Sequence, residues 1–253
     1  MRNKIAIQLH TLRDACKEDF PGVLRELGRM GWAGVQLAGY HGYDPEELAA
    51  VIRETGMKTA GLHVQLPLIL EHGERLIQEA QLFGTRDLIC SNTPQAMRNA
   101  DGYRTLRSEL NAYARRCASD NIRISYHNHA FEFETTIDEQ PALRYLLDPA
   151  PDNAVLAEID VYWVLKAGRD PLAFIAPYTG RMPLIHLKDM TDDAEQTFAE
   201  IGTGRIDFPP ILQWGERSGV EWYVVEQDRC RRDPMESVRI SYTQLSRMAE
   251  AFA

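Results

Sequence analysis

Short apolar runs recur along this chain, each followed by a polar turn and then by a stretch in which apolar residues return every three or four positions. The runs are Ile5–Leu9, Gly34–Leu37, Thr59–Gln65, Asp87–Cys90, Arg123–Asn128, Val155–Asp160, Pro183–Lys188 and Trp222–Glu226. They read as strands buried on both faces, the pattern that a parallel sheet demands. Helical periodicity occupies Phe20–Met30, Pro45–Thr55, Leu68–Phe83, Tyr103–Ser119, Ala142–Leu147 and Pro209–Arg217, with Met235–Ala251 last. Asp44-Pro45 and Asp170-Pro171 each set a capping carboxylate before a proline suited to a first helical turn. Gly31, Gly56, Gly84 and Gly219 stand where a left-handed residue would close a helix. Eight strand–helix units predict an α/β fold, a single (β/α)8 TIM barrel spanning residues 1–253 as one domain. An open doubly wound sheet is the structural alternative, but no Gly-x-Gly-x-x-Gly follows the first strand.

Composition narrows the class. The chain has 253 residues with 28 Lys+Arg and 37 Asp+Glu, a formal charge of −9, and 44% hydrophobic residues. That is an ordinary globular balance. The net negative charge disfavours nucleic acid and anionic membrane as partners. Cys16, Cys90, Cys117 and Cys230 are scattered, with no CxxC pair, and read as reduced thiols. The first residues meet charge at Arg13 and Asp14, and no apolar stretch is long enough for a membrane helix. A cytoplasmic protein is expected, with homo-oligomerisation left open.

In a barrel, chemistry belongs at the C-terminal ends of the strands. Those ends carry Gln8 and His10; Gln36, Tyr40 and His41; His63 and Gln65; Ser91 and Asn92; His127, Asn128, His129, Glu132 and Glu134; Glu158, Asp160, Tyr162 and Trp163; His186, Lys188 and Asp189; and Glu226, Gln227 and Asp228. Side chains two apart on a strand share a face, so His186 pairs with Lys188, Glu158 with Asp160, and His127 with His129. Carboxylates and imidazoles gathered in one mouth need positive charge among them. A divalent ion supplies it. Oxygen and imidazole donors suit Mn²⁺, Zn²⁺, Co²⁺ or Mg²⁺. Buried ion pairs built on Lys188 are the plainer alternative.

Five segments carry a resemblance: Ile7–Asp14 (IQLHTLRD), Tyr126–Phe133 (YHNHAFEF), Asp160–Val164 (DVYWV), His186–Asp189 (HLKD) and Val225–Asp228 (VEQD). In order and placement they resemble the xylose-isomerase-like TIM-barrel superfamily, within it the sugar phosphate isomerase/epimerase group. The resemblance implies one divalent ion held by residues of strands five to eight. Asp160, His186 and Glu226 match directly, and Glu132 is taken as the fourth ligand. His127, His129 and Glu134 are the alternatives, because the in-strand glutamate of the epimerases is missing here. The resemblance implies a metal-dependent sugar isomerase or epimerase acting through an enediolate. Glu132, Glu226, His129 and Lys188 are expected to be catalytic. Gln8, His10, Tyr40, His63, Asn92, His127 and Trp163 are expected to bind a small sugar or keto-sugar.

Removal of a proton beside a metal-bound carbonyl also begins β-elimination of water, so a dehydratase or hydratase acting on a keto-sugar or keto-glycoside is the first alternative. An endonuclease IV-like DNA-repair enzyme and a non-catalytic sugar-binding barrel are more distant ones. For a phosphorylated substrate, Gly202-Thr203-Gly204-Arg205 after strand seven could cradle the phosphate or equally form a packed turn, and Arg229, Arg231 and Arg232 follow strand eight.

Overall fold

The computed structural model describes Met1–Ala251. Each apolar run forms a strand: β1 Ile5–Gln8, β2 Gly34–Leu37, β3 Lys58–Val64, β4 Asp87–Cys90, β5 Arg123–His127, β6 Leu156–Asp160, β7 Leu184–Leu187 and β8 Trp222–Val225. They close into a ring in the order β1-β8-β7-β6-β5-β4-β3-β2, every neighbouring pair parallel. The outer strand faces pack against the surrounding helices in one large apolar core. A small separate cluster, Ala6, Ala60, Leu184 and Val224 with Trp222 against it, fills the interior. By alternation Gln8, His186 and Glu226 stand on the faces of Ala6, Leu184 and Val224, two residues nearer the C-terminal end. The interior thus changes from apolar to polar along the barrel axis. Among the described residues, no helix is long and apolar enough to cross a membrane.

Local chemistry explains the helix ends. Asp44 and Asp170 accept backbone N–H groups at 2.8 and 2.7 Å, ahead of helices that begin with proline. Gly31, Gly56, Gly84 and Gly219 all have positive φ. The first long helix runs Arg13–Met30 but is broken at Asp19 (φ −151°, ψ 80°), whose carboxylate caps Gly22 N at 2.9 Å. The stretch expected as one helix over Leu68–Phe83 is two, Leu66–Glu71 and Gly73–Phe83. The break lets Gly73 lie against Tyr113, where an added Cβ would sit 2.6 Å from the ring, and Tyr113 OH donates to Gly73 O at 2.7 Å. A short helix, Val161–Lys166, starts directly on β6 with Asp160 as its cap.

An ionic clasp lies at the opposite end of the barrel from the polar mouth. Arg123 forks onto Asp87 at 2.8 and 2.7 Å and reaches Glu221 at 2.7 Å, while Arg86 holds Glu221 at 2.9 Å. Asp87 is buried, and burial lifts its carboxyl above the usual range despite the pair with Arg123. Arg123→Ala should destabilise the protein by about 3 kcal/mol at neutral pH, since it strands a buried carboxylate. A carboxyl lifted by folding favours the folded state only while protonated. The loss should therefore be smallest near the ordinary aspartate pKa of about 3.9 and grow as pH rises through the lifted one. Denaturant unfolding of both proteins at about pH 4 and about pH 7 checks this. Equal losses at the two values would count against it.

Candidate metal centre

Strand register assembles the polar mouth. His127 of β5 stands opposite Glu158 of β6, and Asp160 of β6 opposite His186 of β7. Val224 of β8 also pairs with His186, which brings Glu226 alongside, its N–H on Leu187 O at 3.1 Å. One donor atom each from His127, Asp160, His186 and Glu226 falls within a 4.8 Å span, and a second set combines His63, Glu158, His127 and His186.

The two sets have different occupations. Glu158 is already satisfied by protein groups. Gln36 Nε2 donates to its two oxygens at 3.2 and 3.0 Å, His63 Nε2 lies 2.9 Å from Oε1, and His186 Nε2 touches the same oxygen. Gln36 is itself fixed, accepting from Gln8 Nε2 at 2.7 Å. Gln36 Oε1 lies 2.7 Å from His186 Nε2 and competes with Glu158 for that one ring N–H; the charged acceptor is the stronger. The other nitrogen of His186, Nδ1, points to Glu226 Oε2 at 3.3 Å. His127 is arranged alike, with Nδ1 3.6 Å from Glu158 Oε1 and Nε2 4.0 Å from Asp160 Oδ2.

Each of these rings therefore turns one nitrogen to a common carboxylate and the other to the set His127–Asp160–His186–Glu226. With an ion bound and the rings neutral, such partners would hold each histidine in one tautomer. Asp160 Oδ1 caps the helix Val161–Lys166 through Tyr162 N and Trp163 N at 2.9 and 3.3 Å, whereas the fully buried Oδ2 is approached by the Lys188 ammonium at 3.0 Å. Four donors about 2.0–2.2 Å from one ion in a tetrahedral site lie about 3.4 Å apart, so the set would have to close by up to about 1.4 Å from the 4.8 Å span. Two imidazoles and two carboxylates suit a divalent ion of the Zn²⁺ to Mn²⁺ series.

Lys188 and His186 carry the positive charge here. Lys188 Nζ lies 3.0 Å from Asp160 Oδ2, 2.8 Å from Glu226 Oε2 and 2.6 Å from Asp228 Oδ2. Burial works to discharge this amine, but Asp160, Glu226 and Asp228 hold its pKa well above normal. Burial likewise opposes the charged His186, yet Glu158 and Glu226 raise it to about 10. Burial and the neighbouring His186 drive His127 well below the usual range, and burial with Lys188 lowers His129 to about 3. Burial pushes Asp160 up to about 6 against the pull of Lys188. For Glu226, burial is outweighed by Lys188 and His186, and the carboxylate stays charged.

Asp160, His186, Glu226, Lys188, His127 and His63 come together. Next to them a cavity of about 400 Å³ is lined by His10, His63, Asn92, His127, His129 and Glu226 among others. Gln8 lies beneath this cavity, in the Gln36–Glu158 chain. Trp163 is half-buried, its ring 5.5 Å from that of His129 and under the Lys188 ammonium. Two residues lie elsewhere. Tyr40 donates to Glu79 at 2.8 Å and stacks on Phe83. Glu132 faces away from the centre, accepting from Tyr126 OH at 2.6 Å and from His129 N at 2.8 Å, and burial lifts it to about 7. The strand-five donor in the cluster is His127. Glu158 and Gln36 support the centre from below.

Residues 24–242 match the family described as the xylose isomerase-like TIM barrel. The chain belongs to that family. Among curated relatives of this xylose isomerase-like barrel, the inosose dehydratase of Geobacillus kaustophilus is 23% identical over 91% of this chain and 89% of its own. That of Clostridium beijerinckii is 27% identical over 54% of this chain and 52% of its own, so the chain spans about half the length of that relative. A sugar phosphate isomerase/epimerase from Parabacteroides distasonis superposes with a TM-score of 0.82 at 21% identity, covering 96% of this chain and 98% of that one. The probable 3-DHS dehydratase AsbF of Bacillus anthracis gives 0.70 at 13% identity, over 96% and 98%. The IOLI protein with a bound zinc atom gives 0.73 at 11%, over 99% of both chains.

Proposed function

We propose that this barrel is a divalent-metal-dependent dehydratase acting on a keto-sugar or keto-polyol, with His127, Asp160, His186 and Glu226 as the ligands. The observation that carries the choice is the disposition of the carboxylates. Epimerisation by proton removal on one face and return on the other calls for a second base, and Glu132 is turned behind the wall against Tyr126 and His129. Glu226 borders both the cavity and the ligand set. Among the described residues its contacts run through Oε2, to Lys188 and His186, which leaves Oε1 toward the cavity for a substrate proton.

A divalent ion bound there would draw electron density from a substrate carbonyl and so lower the cost of the charge left when the adjacent C–H is deprotonated. Glu226 Oε1 takes that proton. The freed electron pair forms the C=C bond as the β C–O bond breaks, and the same carboxyl returns the proton to the departing oxygen as water when both lie on one face. His10, His63 and Asn92 would orient the hydroxyls, and Lys188 keeps Glu226 Oε2 fixed and charged. The inosose dehydratases and the probable 3-DHS dehydratase among the similar proteins favour the same class.

Incubating metal-loaded protein with inososes and keto-glycosides in heavy water, followed by mass spectrometry, tests the reaction. The expected product has lost one water. A product of unchanged composition carrying deuterium would favour the isomerase reading instead. Elemental analysis is expected to give about one divalent ion per chain.

A further inference from the structure

Sugar-phosphate enzymes on barrels hold the phosphate with backbone N–H groups of the loops after strands seven and eight and of nearby helix N-termini. In this chain the glycine loop after β7 is already occupied. The buried carboxylate of Asp189, just past β7, accepts Gly202 N and Gly204 N on Oδ2, both at 2.9 Å, and Met190 N and Ile206 N on Oδ1 at 2.8 and 3.1 Å. The glycine loop is a built anion nest whose anion is the protein's own. Its closure is tight, because a Cβ on Gly204 would meet Met190 O at 2.1 Å and Asp189 Oδ1 at 2.5 Å.

The helix that follows, Phe208–Ser218, begins Phe208-Pro209-Pro210, and two prolines remove two of its free donors. After β8, the helix Pro234–Glu250 also opens on proline, and Asp233 occupies Glu236 N at 3.0 Å. Basic side chains offer no substitute in the central cavity. Lys188 is committed to three carboxylates. Arg13 donates to the carbonyls of His10 and Asp228 at 2.8 and 3.0 Å. Arg98 holds Thr93 O and lies over the Phe131 ring. Arg229 lines outer grooves instead. The cavity wall itself carries Glu226 and Asp228.

We propose that the site takes an uncharged keto-sugar or keto-polyol and excludes its phosphate esters, with Asp189 filling the position a phosphate would need. This inference rests on the reading of the cavity as a sugar site, but not on the reaction assigned to it. His10 and His129, both on the cavity wall, then serve as hydrogen-bonding partners for hydroxyls.

The test is equilibrium binding to the metal-loaded protein of inorganic phosphate, of fructose and of its terminal phosphate ester, by calorimetry. Like charges forced together cost several kcal/mol, so the ester should bind at least about 100-fold more weakly than the ketose. Inorganic phosphate should show no saturable binding outside the metal centre. His186→Ala and Asp160→Ala, both expected to lose the ion, separate the two locations. Phosphate that disappears with the centre was held there and leaves the inference intact, whereas phosphate that persists in either variant sits in the loops and overturns it. An ester that binds more tightly than its ketose would also overturn it. A protein that refuses phosphate and dehydrates nothing would count against the proposed reaction and leave this inference standing.

Discussion

Replacing Glu226 by Gln is expected to lower turnover by about 10²–10⁴-fold, the range of a positioned proton-transfer group. The substitution keeps the shape of the side chain and leaves an amide oxygen that can still face the ligand set, so at saturating metal the loss should fall on turnover rather than on substrate affinity. Unpairing should be modest. Lys188 keeps Asp160 at 3.0 Å and Asp228 at 2.6 Å, so no buried charge is left alone. The variant should therefore unfold close to the wild-type temperature. Rates measured at saturating metal, beside a thermal melt, decide the matter. Turnover within a few-fold of wild type would remove Glu226 from the proton-transfer role.

The second large effect is expected in metal affinity. His186→Ala and Asp160→Ala each remove a donor and should abolish stable retention of the ion. Glu158→Gln touches no proposed ligating atom, yet it should weaken binding by about 10–100-fold, as the loss of a partner that orients ligand histidines does. The carboxylate of Glu158 gathers His186 Nε2, His127 Nδ1 and His63 Nε2, and an amide offers one acceptor where these rings need a charged one. Competitive titration with a chelator measures all three variants, and the visible spectrum of the cobalt form reports the geometry separately from activity. Unchanged affinity in Glu158→Gln would limit that residue to packing.

The strands were legible because parallel strands buried on both faces leave uninterrupted apolar runs, and Asp160, His186 and Glu226 stood out because each is a polar residue at or near the C-terminal end of such a run. The helix Val161–Lys166 was not. It begins on the last residue of β6 without glycine, proline or a polar turn, and its Val-Tyr-Trp sequence favours extended chain as much as helix. Glu132 shows a second limit. It follows β5 within a family-like segment, but the 3₁₀ turn Phe131–Phe133 folds the chain back so that its carboxylate meets His129 N. Sequence spacing carries no sign of that reversal. Tyr40 fails similarly, since Gly39, His41 and Gly42 all take positive φ and swing the segment out to Glu79. The supporting role of Glu158 and Gln36 had a readable signal, namely a polar side chain inside a strand whose neighbours are apolar on both faces.

The clasp beneath the barrel bears on how the chain reaches this state. Glu221, immediately before β8, is held by Arg86 and Arg123, which lie at the beginnings of β4 and β5. These contacts join residues separated by 135 and 98 positions, and such distant pairings form only after the intervening loop entropy has been spent. Glu221 and Glu226 stand at the two ends of the same strand, so the one element β8 completes the clasp at the lower rim and the ligand set at the mouth, and a change that displaces it disturbs both ends of the barrel.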